Sequence, residues 1–412
     1  MIENVIDFIG GATVVIALVK TVALFAILLL LTILVVWFER KVIADMQARI
    51  GPNRWGPFGL LQTLADGIKL FFKEDFRPRL ADRWVYAIAP VMAMVPSFLA
   101  FAVIPIGDKA EIAHRDVSFI LSDLNIAILF FLAMGSLGVY GIVLAGWSSG
   151  SKYPLLGAIR SSAQMISYEI ALGLSIVPVV LVAGSLSTVD IVAAQAGTVD
   201  DVVFFDGIPV LEQVANVFEV FPNWYIWSQW PAFLIFMIAG IAETNRAPFD
   251  LPEAETELVA GYHTEYSGIR FALFFLGEYL HVIAISAMAV TLFFGGWHGP
   301  AFDALPWAWP FLWFLVKTTL LVYLFVWLRA TLPRLRYDRL MWLGWKRLIP
   351  AALLWVLVTA VVNTDGISRN VRLGVFVALF LIVLAWAGRG DPRLTSAVTP
   401  QKRRGVVGRG VA

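Results

Sequence analysis

The sequence lacks cysteine entirely and contains few histidines. Without cysteine the chain cannot form disulfides, hold iron–sulfur clusters through thiolates or build thiolate zinc sites. Only 4 of the 412 residues are histidine, and they are scattered along the chain, which argues against a haem or another metal centre. The sequence therefore predicts that any redox centre this protein serves lies on a different chain.

Charge is also scarce, since 15% of the residues are charged and 59% are hydrophobic. The mean hydropathy is +0.80, and a soluble chain of this length has no interior large enough for so much apolar surface. Because no alternating apolar and polar pattern typical of a barrel is present, we predict an all-α, polytopic membrane protein. Nine apolar runs have about the length of a bilayer-spanning helix: 14–38, 84–106, 124–147, 163–184, 229–243, 269–296, 307–329, 347–363 and 371–388.

The lysines and arginines predict the orientation, because loops on the cytoplasmic side carry most of these residues. Segment 186–228 has none, whereas most of the 31 basic residues fall in four other loops and in the C-terminal tail. We therefore predict an N-terminus outside the cell membrane, one transmembrane domain over residues 1–390 and a basic, disordered cytoplasmic tail over 391–412. The predicted cytoplasmic loops are 39–82, 148–162, 243–270 and 330–346.

The first of these loops has a pattern that an ordinary connection lacks. Glu39 and Arg40 stand where the first helix leaves the bilayer, and charges that reach the water at the interface are the simplest interpretation. A glycine- and proline-rich turn follows. In Leu60–Phe72 the apolar residues then recur at helical spacing, which predicts an amphipathic helix in the membrane interface.

Four further charges of this loop leave two interpretations open. Arg49 and Arg54 on a rigid loop suit either the docking of a partner subunit or a slot through which a lipid-soluble ligand enters. Asp66 and Lys69 are three residues apart on the amphipathic helix, so they form either a surface pair or part of the lining of such a slot.

Two carboxylates fall inside predicted spans. Glu169 lies in the fourth apolar run, and Glu278 lies in the sixth beside Tyr279 and His281. A carboxylate at the bilayer centre costs at least about 2.5 to 3.5 kcal/mol, so a proton relay or a paired charge is the default interpretation. For Glu169 the alternative is a position close enough to the interface to stay hydrated.

The stretch Ala242–Gly268 is dense in acid, and only Arg246 opposes its carboxylates. It is either a hydrated loop or a buried site that uses its charge. Asp250 is predicted to cap a helix with Glu253 at the third position. Glu253 and Glu257, four residues apart, would raise each other's pKa and share protons. The six carboxylates are Glu243, Asp250, Glu253, Glu255, Glu257 and Glu265.

Four long segments closely resemble the family of the H-type membrane subunit of proton-pumping NADH–quinone oxidoreductase, the respiratory complex I. They are ERKVIADMQARIGPNRWGPFGLLQTLADGIKL, SSGSKYPLLGAIRSSAQMISYEI, AETNRAPFDLPEAETELVAGYHTEYSG and FVWLRATLPRLRYDRLMWLGWK. The resemblance implies a subunit that forms the quinone-access chamber at the junction with the peripheral arm. It further implies that quinone redox energy passes through a carboxylate chain to the proton pumps.

The resemblance also implies the partners and the roles of individual residues. The partners would be the peripheral-arm quinone-site subunits, small membrane subunits and lipids, with no nucleic acid. Quinone would be the substrate, either menaquinone or ubiquinone, and neither FMN, an iron–sulfur cluster, a metal nor a covalent catalytic residue would belong to this chain. The implied quinone-chamber residues are Glu39, Arg40, Arg49, Arg54, Asp66, Lys69, Arg329, Arg334 and Arg336. The implied relay residues are Glu169, Asp250, Glu253, Glu255, Glu257, Glu265 and Glu278.

Two other classes compete with this prediction. The corresponding membrane subunit of an energy-converting hydrogenase or formate-hydrogenlyase complex would share the acidic loop without needing quinone. The motifs RIGPNR and LPRLRYDRLM favour the quinone enzyme. An independent proton-coupled transporter ranks last, because repeated halves and broken central helices are not visible in the sequence.

Overall fold

The computed structural model describes residues 12–108, 110–112, 115–197, 222–250, 259–300 and 308–364, with two isolated positions further on. Contacts divide the chain after Asn363, and the fold below concerns the part before that residue. The predicted ninth span and the basic tail lie outside the described residues.

The first half of the described chain forms long helices with one short interruption by strands. A small antiparallel ribbon pairs β1, Ala110–Ile112, with β2, Arg115–Val117. The helices are α1 Ala12–Met46, α2 Gln62–Phe72, α3 Arg83–Ala100, α4 Ala127–Ser148 and α5 Lys152–Ala183.

The second half adds seven helices, of which two are joined without a break. A π-helical turn at Gly344–Leu348 connects the last two. The helices are α6 Thr188–Ala194, α7 Tyr225–Ser228, α8 Trp230–Glu243, α9 Gly268–Phe293, α10 Ala308–Thr331, α11 Tyr337–Leu343 and α12 Ile349–Val362.

The all-α membrane architecture is confirmed. Within the described ranges seven helices are long and apolar enough to cross a membrane, the last running without a break from Tyr337 to Val362. The predicted fifth span is α8, whose 14 residues make it about 21 Å long, shorter than a hydrocarbon core of about 30 Å. The ninth predicted span, 371–388, lies outside the described residues, so the count of nine stays a prediction.

One predicted boundary differs from the structure. Most of the predicted loop 148–162 is helical, because α5 begins at Lys152. Pro154 does not stop the helix, since a proline in the first turn removes an N–H group that has no partner within the helix. Glu169 therefore lies near the middle of a long helix rather than close to its start.

Helix α9 is the central element of the bundle. Of the seven long helices it is the most buried: 72% of its apolar window is buried, against 6% for α1. The close packing of α9 against α3 depends on Gly277 of α9, because a Cβ atom there would lie 3.2 Å from the carbonyl oxygen of Ala93. The side chains that α9 presents therefore meet those of several other helices.

The bundle has two distinct ends, at which neighbouring segments are hydrogen-bonded. At the first, which we call the acidic end, the N–H of Leu335 donates to the carbonyl of Pro248 at 2.9 Å. At the second, which we call the opposite end, Gln195 Oε1 accepts from the N–H of Gly295 at 3.0 Å. Helix α9 runs from the acidic end to the opposite end.

At the opposite end a lysine from within the apolar helix α10 is almost fully buried. The ammonium group of Lys317 donates to the carbonyl oxygens of Phe294, Gly296 and His298 at 2.8, 3.0 and 2.6 Å. It also lies 4.3 Å from the ring centroid of Trp224. The three donors of the ammonium thus meet three backbone acceptors just beyond the C-terminus of α9, where a cation is favourable.

Candidate functional site

The centre of the candidate site is an arginine held between two carboxylates. Arg246 follows α8 and is 7% exposed. Its Nε lies 2.7 Å from Glu278 Oε1 and its Nη1 lies 3.8 Å from Glu39 Oε1. The guanidinium also stacks 4.2 Å from the ring centroid of Tyr279. Burial lowers the pKa of Arg246, but Glu278, Tyr279 and Glu39 raise it more, so the net shift is upward and the group stays charged.

A second arginine reaches the same carboxylate from another helix. Arg329, in the last turn of α10, donates to Glu39 Oε1, so Glu39 of α1 lies between two cations. A buried carboxylate is stable only when paired, and this one has two partners. Between Glu39, Arg246, Tyr279 and Arg329 lies a cavity of about 20 Å³, enough for one water molecule.

A larger cavity lies beside Glu278, the carboxylate that pairs with Arg246. It measures about 50 Å³ and is lined by Glu243, Asn245, Glu278 and His281 among others. One water needs about 10 to 15 Å³ by this measure, and the lining is polar, so the cavity has room for several waters. His281 Nε2 lies 3.3 Å from Glu243 Oε1.

Glu243 fits beside α4 because of a glycine. A Cβ atom at Gly135 would lie 2.9 Å from Glu243 Oε1, so this position has to stay small to leave room for the carboxylate. The adjacent Ser136 donates from its hydroxyl to Glu169 Oε1. Glu169, half-buried near the middle of α5, is thereby bound by the residue next to the glycine that Glu243 contacts.

The residues form one line of acids and bases through the acidic end. From the α1 side inward, it contains Arg329, Glu39, Arg246, Glu278, His281, Glu243 and Glu169. Within the described ranges no group of three or more histidines and carboxylates has a geometry that could hold a metal ion. The chemistry this arrangement supports is the holding and exchange of charge and protons, because Glu39, Glu243 and Glu278 each lie against a base and Glu169 accepts from a hydroxyl.

The predicted quinone-chamber residues divide into several pairs. Glu39 and Arg329 belong to the line above. Arg40 pairs with Asp66, which ties α1 to α2. Arg334 pairs with the predicted relay residue Asp250 at 3.0 Å. Four others lie at the surface: Arg49, which donates to Gln47, Arg336, which pairs with Asp338, and the exposed Arg54 and Lys69.

The predicted relay residues are only partly brought together. Glu169 and Glu278 belong to the line, whereas Asp250 lies on the turn beyond it. The backbone carbonyl of Glu265 accepts from the hydroxyl of Tyr86 at 2.7 Å, away from the line. Three relay predictions, Glu253, Glu255 and Glu257, lie outside the described residues, and so do the predicted helix start and its shared protons.

The prediction of the site omitted three residues that the structure places at its centre. Glu243 closes α8, Arg246 follows it, and His281 lies three residues after Glu278 on one face of α9. Two signals were present in the sequence. Arg246 is the sole cation of an acidic stretch, and the spacing of Glu278 and His281 places both on one side of a helix.

These features define a polytopic membrane protein whose interior holds paired ionisable groups from several helices. The family model described as NADH dehydrogenase matches residues 19–360. The chain belongs to this family.

Named relatives narrow the assignment. The H subunit of NADH-quinone oxidoreductase from Frankia alni is 50% identical over 377 residues, covering 89% of this chain and 78% of the relative. An H subunit of the same enzyme from Geobacter metallireducens is 52% identical, covering 83% of this chain and 94% of the relative. One from Geobacter sulfurreducens is also 52% identical, with coverage of 82% and 94%.

The predicted resemblance is thereby confirmed. The chain is a homologue of the H subunit of NADH-quinone oxidoreductase, a multi-pass component of an oxidoreductase complex in the cell membrane. These relatives carry the name of the quinone enzyme and not that of a hydrogenase, which supports the quinone enzyme over the hydrogenase alternative drawn from the sequence.

Proposed function

We propose that this chain lines the quinone passage of a proton-translocating NADH:quinone oxidoreductase and relays the energy of quinone reduction along its buried charges. The observation that carries the proposal is the unbroken contact from Arg329 through Glu39 and Arg246 to Glu278. Electrons would arrive from centres on other subunits. The partners would be the peripheral-arm subunits and small membrane subunits of the complex.

The quinone passage would run along α1 and α2. Helix α2 has no buried residue, and its apolar side chains Leu64, Ile68 and Phe71 are exposed. An apolar surface beside the Arg40–Asp66 pair suits a ligand with a hydrocarbon tail and a polar ring.

Reduction of the quinone would disturb the charges nearest to it. A quinone takes up two electrons and two protons to become quinol, so negative charge develops at the ring before both protons arrive. That charge would attract Arg329 and Arg40 and weaken the hold of Arg329 on Glu39. Glu39 would then attract Arg246, whose Nη1 now lies 3.8 Å from Glu39 Oε1. The ion pair between Arg246 and Glu278 would weaken as a result.

Release of Glu278 would start the proton relay. A carboxylate that loses its cation in a low-dielectric interior binds a proton more readily. Glu278 faces the cavity of about 50 Å³ that it shares with His281 and Glu243 and that has room for water, and Glu169 lies beyond them. Moving one charge across 100 mV takes about 2.3 kcal/mol, which is a scale that rearranged buried ion pairs can supply.

The proposed orientation puts the acidic end on the cytoplasmic side and the N-terminus outside. It is supported by the concentration of lysines and arginines in segments that meet at the acidic end, and by their absence from 186–228.

The proposal is tested by Glu278→Gln in the assembled complex, which keeps the size of the side chain and removes its charge. We expect quinone reduction by NADH and proton pumping to fall at least tenfold, while NADH oxidation by an artificial acceptor is kept. Asp190→Asn is the matched control, because Asp190 is a carboxylate at the opposite end, bonded to Ser185. Unchanged pumping per electron in Glu278→Gln would refute the relay.

A further inference from the structure

A buried glutamine on α5 holds the turn that carries two charged residues of the site. Gln164 is 0% exposed. Its Nε2 lies 2.7 Å from the carbonyl oxygen of Ala242 and 2.9 Å from that of Phe249. It also lies 3.2 Å from Asn245 Oδ1. The two carbonyls stand at the beginning and the end of the turn that follows α8.

This turn has only two backbone hydrogen bonds of its own, from the N–H of Asn245 to the carbonyl of Ala242 at 3.3 Å and from the N–H of Phe249 to the carbonyl of Arg246 at 2.8 Å. Helix α8 ends at Glu243, and Asn245 has a φ of 53°, a left-handed conformation that asparagine tolerates better than most residues. Carbonyls at a helix C-terminus have no donor within the helix. A single side-chain amide has two N–H groups and so supplies donors to both ends of the turn.

The partners also fix which way the amide points. In the reverse orientation the side-chain oxygen would face two carbonyl oxygens, so only the nitrogen satisfies this site. A methionine has nearly the same length and volume but donates nothing, so it would remove the side-chain donor from the carbonyls of Ala242 and Phe249 and leave Ala242 only the longer bond from the N–H of Asn245.

The turn sets the positions of Glu243 and Arg246 relative to α9. These two side chains reach His281 at 3.3 Å and Glu278 at 2.7 Å, whereas Gln164 belongs to α5. We propose that Gln164 is a positioning residue that keeps Glu243 and Arg246 in register with α9. The inference rests on the proposed function, since it assumes that this register matters for the relay.

The chain offers a matched control at the opposite end. Gln195 is also 0% exposed, and its Nε2 donates to the carbonyl of Thr291 at 2.9 Å while its Oε1 accepts from Gly295. The substitution Gln195→Met therefore removes a glutamine of equal burial from the same bundle without touching the turn.

The experiment compares Gln164→Met with Gln195→Met in the complete complex. Each variant is assayed for NADH:quinone turnover, for protons pumped per electron from pH 6 to pH 9, and for NADH oxidation by an artificial acceptor. For Gln164→Met we expect a loss of about five- to tenfold in quinone turnover, a displaced pH profile and an unchanged artificial-acceptor rate. Gln195→Met should keep turnover and pumping per assembled complex.

A double-mutant cycle separates positioning from a general loss of stability. In a Glu243→Gln background, Gln164→Met should cost less than it does in the protein with Glu243, because one of the two residues it positions no longer acts. Fully additive losses would overturn the inference. If Gln164→Met prevents assembly, Gln164→Asn takes its place, since it keeps the amide but is one methylene too short for both carbonyls.

The outcomes distinguish this inference from the proposed function. Normal pumping and an unchanged pH profile in Gln164→Met, together with lost pumping in Glu243→Gln, would overturn the positioning role and leave the relay intact. Normal pumping in both variants would count against the relay itself.

Discussion

The two ends of α9 hold their buried charges in opposite ways. At the acidic end Arg246 is bound by carboxylates on two different helices, with one cavity beside Arg246 and another beside Glu278. At the opposite end Lys317 is bound by three backbone carbonyls. Side-chain partners can change rotamer and protonation state, whereas a carbonyl can do neither. The first arrangement is suited to switching and the second to holding the helix in place.

The largest effect should come from removing the shared cation at the acidic end. Arg246→Met removes the cation that lies 2.7 Å from Glu278 Oε1, and breaking a buried ion pair costs about 3 to 5 kcal/mol. We expect little assembled complex in membranes, measured by the artificial-acceptor rate and by native gel. The double variant Arg246→Met with Glu278→Gln should assemble better than Arg246→Met alone, because Glu39 still has Arg329. Equal loss in both variants would show that charge pairing is not the cause.

A smaller effect is expected at the opposite end. Lys317→Met leaves three carbonyls without their donor, which costs about 1 to 3 kcal/mol of stability. The thermal midpoint of the purified complex should fall, while pumping per electron stays unchanged. Lys20→Met serves as the control, because the nearest acceptors of Lys20 lie at 3.4 and 3.5 Å. A loss of pumping in Lys317→Met would mean that the opposite end takes part in the relay.

The smallest effect concerns a histidine beside that lysine. Burial and the charge of Lys317 lower the pKa of His298, against a smaller opposing effect of Asp108. Below about pH 6.5 the unfolded chain then binds more protons than the folded one, so stability falls as the pH falls. The thermal midpoint of the complex should drop less between pH 7.5 and pH 5.5 in His298→Asn than in the unchanged protein. The same drop in both would exclude His298 as the source.

The sequence predicted the elements of the site better than their partners. The length of the apolar runs predicted α8 and α9, and the cost of an intramembrane carboxylate singled out Glu169 and Glu278. Glu39 and Arg329, by contrast, are 290 residues apart. Their pairing depends on how α1, α9 and α10 pack, and no local pattern contains that information.

The start of α5 was predicted wrongly for a related reason. Hydropathy locates only the apolar part of a helix. Residues 152–162 are too polar to be included in the predicted apolar run, although they belong to the same helix. They pack against the segment at Gly261, where a Cβ atom on Gly157 would lie 2.8 Å from the Gly261 Cα. The local sequence does not display this tertiary contact.

The short length of α8 has an electrical consequence. With its Trp230 end at one boundary of the hydrocarbon, a helix of 14 residues leaves Glu243 about 9 Å inside the other boundary. A proton held at Glu243 would then have only about two thirds of the membrane potential left to cross, and moving it across that part would take about 1.6 kcal/mol per 100 mV. Because the length of α8 sets how deep Glu243 lies in the hydrocarbon, protonation of Glu243 would itself depend on the membrane voltage.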